Sequence, residues 1–566
     1  MSDQFSGRLG LIFASIGAAI GTGNIWRFPR MVGANGGGTF LIPWLIFLFA
    51  WSIPLVIAEY AMGKRSRTGT IGTFRIFGGK KLAWMGLWTA WISTAIGFYY
   101  AVVAGWTVKY FQLGLTGGLV GDVDTTEVWN AFLNSSGQVI FFQFLVVVLT
   151  LTTIGFGAKM IEKVNVALMT SLFVLLFMTL FMAIFMDFKD GSLDGALFMF
   201  SVNPSMLAEP SVWINALSQS AWSCSAGMGM AITYSVYMRK DEDVALNSFV
   251  MGLANNSISI IAGLTVLCAI FAVSSDPLGT VTGGSSAITF LALPEVFAQA
   301  PGGKIGSFIM MAGFFLALSF AALTSMISTV ELCVRNFVDH GFERTKAVLI
   351  TGVAIFMFGL PSAVMWIKLD RVTGVAFPQF LEVQDHIWGY GLMFSGLFIA
   401  ITIWKFGFQT WRKNVAEGTA EPGLAGYLSV GVPAFREEFI NTGDNDIHIG
   451  KWWDMSLYIF FPIGFTVLIV SYFADMIRNT PDVWSLSNPY GLTIILVFWG
   501  VVASIFIGFN KLLTSLPLYR NVPEGADCDI TMLPGGEDDL VSLASEKPTD
   551  GDIDAIFEAE VVEATA

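Results

Sequence analysis

Apolar residues along this chain gather in runs of about 20 or more, the length a helix needs to cross roughly 30 Å of hydrocarbon. Twelve such stretches are readable, near 8–34, 38–63, 83–115, 138–157, 163–187, 213–238, 244–273, 305–337, 346–368, 386–405, 452–474 and 488–513. The pattern predicts an all-helical membrane protein of twelve transmembrane helices. Two of the stretches are interrupted by residues that suit a helix interior poorly. In the first, "GAAIGTGNIWRFPR" at 17–30 brings in glycines, Asn24 and Arg27; in the sixth, Gln219, Ser223, Ser225, Gly227 and Gly229 do the same.

An unwound stretch exposes carbonyls and amides that hydrocarbon cannot satisfy, so it persists only where it lines a polar cavity or binds a ligand. Glycine alone would read as close helix packing. The polar company weighs against that, because intramembrane polar groups are costly without a task. If five spans repeat with opposite orientation, the first and sixth correspond, which is the signature of an inverted-repeat secondary transporter. The expected organisation is a first repeat over 1–187, a second over 213–405, two further helices within 452–513 and a tail from 514 to 566.

Composition and charge refine this picture. The chain has 566 residues, 54% hydrophobic and 13% charged, where a soluble protein carries about 25% charged residues. Lys64, Arg65, Arg67, Arg75, Lys80 and Lys81 follow the second span, whereas 117–138 holds no lysine or arginine. Positive charge retained inside makes the first loop cytoplasmic and, with an even number of spans, both termini as well. A plasma or inner membrane location is expected, and no cleavable signal is evident. The net charge of −13 is concentrated in the final tail, "GGEDD", "SEKPTDGDID" and "EAEVVE", which reads as a solvated cytosolic segment and not as a nucleic-acid partner. Cys224, Cys268, Cys333 and Cys528 fall in spans or the tail, which argues against a disulfide framework. Three scattered histidines and no metal-spaced cysteine pairs argue against a membrane enzyme.

On these residues the chain resembles the neurotransmitter:sodium symporter family, whose bacterial members include leucine-type amino-acid transporters. The resemblance spans about 7–513 and rests on "GRLGLIFASIGAAIGTGNIWRFPRMVGANGGGTFLIPW", "EYAMGK", "ITYSVYMRKDED" and "AALTS", in family order. It implies a five-plus-five inverted repeat with unwound helices 1 and 6, and sodium-coupled uptake of an amino acid by alternating access. One sodium site then falls on the carbonyls of Gly17, Ile20 and Ala321 and the hydroxyls of Thr324 and Ser325. The other falls on the carbonyl of Ala19, the amides of Asn24 and Asn255, and Ser223. Hard, mostly neutral oxygens are what a desolvated sodium needs; the plain alternative for Thr324 and Ser325 is a bond to their own helix.

The same resemblance places the carboxylate of a small zwitterionic substrate beside the amide of Gly23 and the hydroxyl of Tyr100. Its amino group would meet the carbonyls of Ala19 and Trp222 and the hydroxyl of Ser225. Gly21 stands where monoamine-type relatives carry an aspartate, which implies a substrate that brings its own carboxylate. Ile96, Val103, Met228, Thr329, Thr22 and Ser325 line the rest of the pocket, with Trp222 as its lid. An indole face attracts cations, so a betaine-like osmolyte is the alternative substrate; a transport-inactive sensor of the same fold is the rival function.

Two departures from the family bear on the ions and gates. Ser259 replaces the glutamate that chloride-independent relatives carry, which implies a chloride held by Gln219, Ser223, Asn255 and Ser259, with Trp44 where a tyrosine usually donates. Arg27 and Asp385, with Glu382 beside them, match the outer gate; Tyr237 and Asp339 match the inner latch. The arginine that normally completes that latch is Ser2 here and the nearby tryptophan is Phe5, which leaves two alternatives: another cation such as Arg239 or Arg8 stands in, or the inward-facing state is more populated.

Overall fold

The computed structural model describes residues 4–121, 123–188, 191–283, 287–364, 368–370, 376–442, 445–520, 530 and 533–536. Ser2, Cys528 and most of the acidic tail lie outside these residues. The described chain is helical apart from one antiparallel ladder that pairs Lys368–Asp370 with Ala376–Pro378. The principal helices are α1 (Arg8–Ala19), α2 (Gly23–Ala34), α3 (Gly38–Ser66), α4 (Thr70–Gly78), α5 (Lys80–Thr116), α6 (Ser136–Gly155), α7 (Ala158–Asp187) and α8 (Pro210–Ser223). They continue as α9 (Met230–Ser235), α10 (Val244–Val273), α11 (Gly303–Asp339), α12 (Arg344–Ala363), α13 (Phe380–Ala416), α14 (Leu424–Phe435), α15 (Trp452–Asn479) and α16 (Leu492–Gly508).

Among the described residues, nine helices are long and apolar enough to cross a membrane, and the α1–α2 pair, bent by 55°, brings the number to ten. The expected twelve therefore depends on α8 with α9, two halves of 14 and 6 residues, and on α16, of 17 residues. At 1.5 Å per residue the 17 residues of α16 rise only about 25 Å, short of a full span without the turn that follows it. Hydropathy alone also passes over α4 and α14. α14 packs Phe435 against Phe77 and stacks it on Trp453, with ring centroids 5.9 and 5.8 Å apart.

Each break has a local cause. After α1, Ile20 turns to an extended conformation (φ −80°, ψ 114°), and Asn24 Oδ1 accepts the Gly21 amide at 3.0 Å in place of a helical carbonyl. After α8, Ser225, Gly227 and Gly229 take φ of 51°, 87° and 80°, left-handed values that end a helix. The freed Gly227 amide donates to Glu59 of α3, which is fully buried. A Cβ on Gly227 would also lie 2.9 Å from the Gly396 Cα of α13. Gly227→Ala is therefore expected to destabilise the protein by about 2 kcal/mol or more, read as a lower unfolding temperature of the purified chain. An unchanged temperature would mean that the break is not held this tightly.

Candidate functional site

The two breaks meet α10 and α11 at mid-bundle, and the polar residues singled out from the sequence gather in two clusters. In one, Asn24 is the hub. Its side-chain amide donates to Asn255 Oδ1 at 2.8 Å, Ser259 Oγ at 2.9 Å and Ser223 Oγ at 3.2 Å. Asn255 in turn donates to Ser223 Oγ at 2.9 Å, and Ser259 donates to the Asn255 carbonyl at 3.2 Å. Asn24, Asn255 and Ser259 are buried, so the Asn24 amide nitrogen is ringed by neutral oxygens of α8 and α10 while its Oδ1 is turned to Gly21 of the break. Gln219, one turn before Ser223, is buried with its Oε1 unpartnered among the described residues. Trp44, also buried, packs 4.6 Å from the Phe28 ring.

The other cluster joins α1 to α11. Ser325 Oγ donates to the Ile20 carbonyl at 2.9 Å. The Thr324 hydroxyl turns back to Ala321 and Phe320 of its own helix, at 3.0 and 3.1 Å. Gly17 faces Thr324 directly, since a Cβ there would sit 3.1 Å from Thr324 Cβ.

The residues expected to line the substrate pocket are placed as follows. Ile96, Tyr100 and Val103 follow the i, i+4, i+7 spacing of one α5 face. Tyr100 Oη accepts the Thr22 amide at 3.2 Å, and nothing lies within 4 Å of a Cβ built on Gly23. Gly21 is crowded: a Cβ would come to 3.0 Å from Ser325 Oγ and 3.1 Å from Tyr100 Oη. Met228 is fixed through its carbonyl by Ser93 Oγ at 2.6 Å, and the Thr329 hydroxyl bonds its own helix at Ser325. The Ser225 hydroxyl reaches the Ala18 carbonyl at 3.2 Å. Trp222 leans its ring on α13, where a Cβ on Gly389 would lie 2.7 Å from Cη2.

The gate residues have other partners than each other. Arg27 donates to Ser218 Oγ at 3.0 Å, while Asp385 accepts from Tyr99 Oη at 2.7 Å; among the described residues no ion pair joins Arg27 to Asp385. Glu382 lies one turn earlier on α13. At the opposite end of the bundle, Asp339 pairs with Arg335, four residues before it on α11, and accepts the Gly69 amide. The Arg335 guanidinium lies 5.7 Å from the centre of the Tyr237 ring, and Tyr237 donates to Glu331, itself paired with Arg344 at 2.6 Å. The expectation that Arg8 or Arg239 completes the latch is corrected. Arg8 pairs with Asp446 at 3.0 Å and Glu242 at 3.4 Å, acids of other segments, and Arg239 pairs with Asp241, two residues on, at 2.9 Å, so both cations are already engaged away from Asp339. Phe5 packs edge-on against Tyr234 and Tyr237.

Glu59, Glu331, Arg335 and Arg344 were not singled out from the sequence as site residues. A carboxylate inside the apolar run "IPLVIAEYAM" was the available signal for Glu59, and the i, i+4 spacing to Asp339 was the signal for Arg335.

The chain is similar to known proteins. The chain is 29% identical over 427 residues to an uncharacterized sodium-dependent transporter of Bacillus subtilis, covering 73% of this chain and 90% of that one. It is 30% identical over 433 residues to an uncharacterized sodium-dependent transporter of Methanocaldococcus jannaschii, covering 73% and 84%. The crystal structure of MhsT in complex with L-phenylalanine superposes with a TM-score of 0.66 at 29% identity, covering 83% of this chain and 99% of that one. The profile of the sodium:neurotransmitter symporter family matches residues 2–131 and 130–424. With its two broken helices and their paired oxygen clusters, the chain belongs to that family of sodium-coupled transporters.

Proposed function

We propose that this chain imports a neutral amino acid with an apolar side chain, driven by sodium entry and carried out by alternating access. The observation that carries the reading is the meeting of neutral polar groups from separate helices at the two breaks. Asn24, Ser223 and Asn255 form one cluster, and Ile20, Ser325 and Thr324 the other. We assign a sodium ion to each, completed by the carbonyls of Ala19 in the first and of Gly17 and Ala321 in the second. The substrate carboxylate takes the open side of Gly23 beside Tyr100, and the side chain lies against Ile96, Val103, Met228 and Thr329. Crowding at Gly21 leaves little room for a carboxylate on the protein, which supports a substrate that carries one.

The Lys64–Lys81 end is cytoplasmic in this reading, so Arg27 and Asp385 close the outer side, and Tyr237 and Asp339 the inner side. The outer partners stand apart, each held by a neutral hydroxyl. A pair that closes loosely or through water opens more cheaply than a tight one. A chloride between Gln219, Ser223, Asn255 and Ser259 balances the positive charge of the loaded site.

Thermal shift of the purified protein tests the substrate class. The twenty amino acids, glycine betaine and choline are compared in sodium and in potassium, with L-phenylalanine as reference because the solved relative binds it. Ligands that bind only the folded state raise the unfolding temperature. Stabilisation by apolar amino acids in sodium alone is expected; stabilisation by betaine alone would replace the substrate. Since the Trp222 ring rests on Gly389, Trp222→Leu should weaken L-phenylalanine and betaine alike. A selective loss for betaine, about 1–2 kcal/mol for a desolvated cation–π contact, would favour the osmolyte.

A further inference from the structure

Two polar side chains of α7, Glu162 and Asn165, stand one turn apart on a face turned toward α1. Each meets a glycine there. The Glu162 carboxylate occupies the space where Gly10 has no side chain, and Asn165 Oδ1 lies 2.9 Å from where a Gly17 Cβ would be. Gly17 is also the residue that Thr324 packs against, so Asn165 adjoins the Gly17–Thr324 cluster from the side facing the start of α7.

Asn165 is fully buried, and neither Oδ1 nor Nδ2 has a hydrogen-bond partner among the described residues. A primary amide buried without a partner is costly, and this one brings a hard neutral oxygen next to an assigned sodium site. Glu162, nearer the cytoplasmic end of α7, is engaged from above: it accepts the Ser6 amide at 2.7 Å and the Ser6 hydroxyl. Those bonds hold the segment ahead of α1 over the carboxylate.

We propose that Asn165 and Glu162 form a cation station between the Gly17–Thr324 cluster and the cytoplasm, which sodium occupies as it leaves. This rests on the sodium reading given above. A departing ion meets the Asn165 carbonyl oxygen first. When the start of α1 moves away, Ser6 releases Glu162, and its carboxylate supplies the next oxygens. An amide followed by a carboxylate suits a small hard monovalent cation.

The test uses the full chain in oriented proteoliposomes. Entry of radiolabelled L-phenylalanine is measured at fixed external sodium while internal sodium, as gluconate, is raised until uptake is halved. Asn165→Leu and Glu162→Gln should each raise that internal concentration at least fivefold, because the station binds the returning ion more weakly. Asn165→Asp, which adds a charge without adding bulk, should lower it at least threefold. A merely structural Asn165 would give shifts of the same sign for leucine and aspartate, or none, and either result overturns the station. Should Asn165→Leu fail to insert, Asn165→Asp and Glu162→Gln decide by their opposite signs. Uptake by the unaltered chain without any external sodium would overturn the sodium reading together with the station. A sodium requirement with unmoved internal curves overturns the station alone.

Discussion

Asn24→Ala should raise the sodium concentration needed for half-maximal L-phenylalanine binding at least tenfold. One side chain there serves three acceptors on α8 and α10 and takes the Gly21 amide from its own break. Its loss removes the amide that ties the break to α8 and α10 and leaves buried groups unpartnered, each worth about 1–3 kcal/mol. A tenfold change corresponds to about 1.4 kcal/mol, so the estimate is a lower bound. Thr324→Ala tests the second cluster with less disturbance, because that hydroxyl bonds only its own helix. Titrating sodium against potassium at constant ionic strength reads both variants. An unchanged sodium requirement in both would remove the assigned sites.

The second large effect concerns chloride. The two sodium ions and the zwitterion proposed above would leave net positive charge in a site of low dielectric, which is costly without a compensating anion. Ser259, bonded to Asn24 at 2.9 Å, stands at the point where a fixed carboxylate would supply that charge. Replacing chloride by gluconate should cut sodium-driven uptake by tenfold or more, and Ser259→Glu should restore it in gluconate. Undiminished uptake in gluconate would eliminate the anion. The unpartnered Gln219 Oε1 is an acceptor, so the Gln219 amide nitrogen, with Ser223, Asn255 and Ser259, would provide the donors.

The breaks were legible because Asn24 and Ser223 interrupt apolar runs where a polar side chain has no cheap alternative to binding something. Asn255 and Ser259 came into view only through the resemblance to the symporter family, and the structure gathers all four residues at one point. Partners were harder to read than residues. Arg27 and Asp385 are identifiable from their positions, yet whether each bonds the other or a neighbouring hydroxyl depends on side-chain rotamers and on the state of the gate. The inner latch misled for a different reason. Arg335 sits on the same helix as Asp339, four residues before it, whereas the latch pattern of the family points to a cation from another segment. α14 is apolar but only 12 residues long, too short to read as a span, although its Phe435 is buried. Asn165 gave no motif at all; only its burial beside Gly17 sets it apart.

Sodium entry is proposed to drive the uptake of an amino acid. Proteoliposomes containing the full chain, loaded with potassium and diluted into sodium chloride, should accumulate L-phenylalanine above the external concentration and lose it when a sodium ionophore collapses the gradient. Accumulation that persists in potassium on both sides, or binding in sodium with no accumulation, would contradict it.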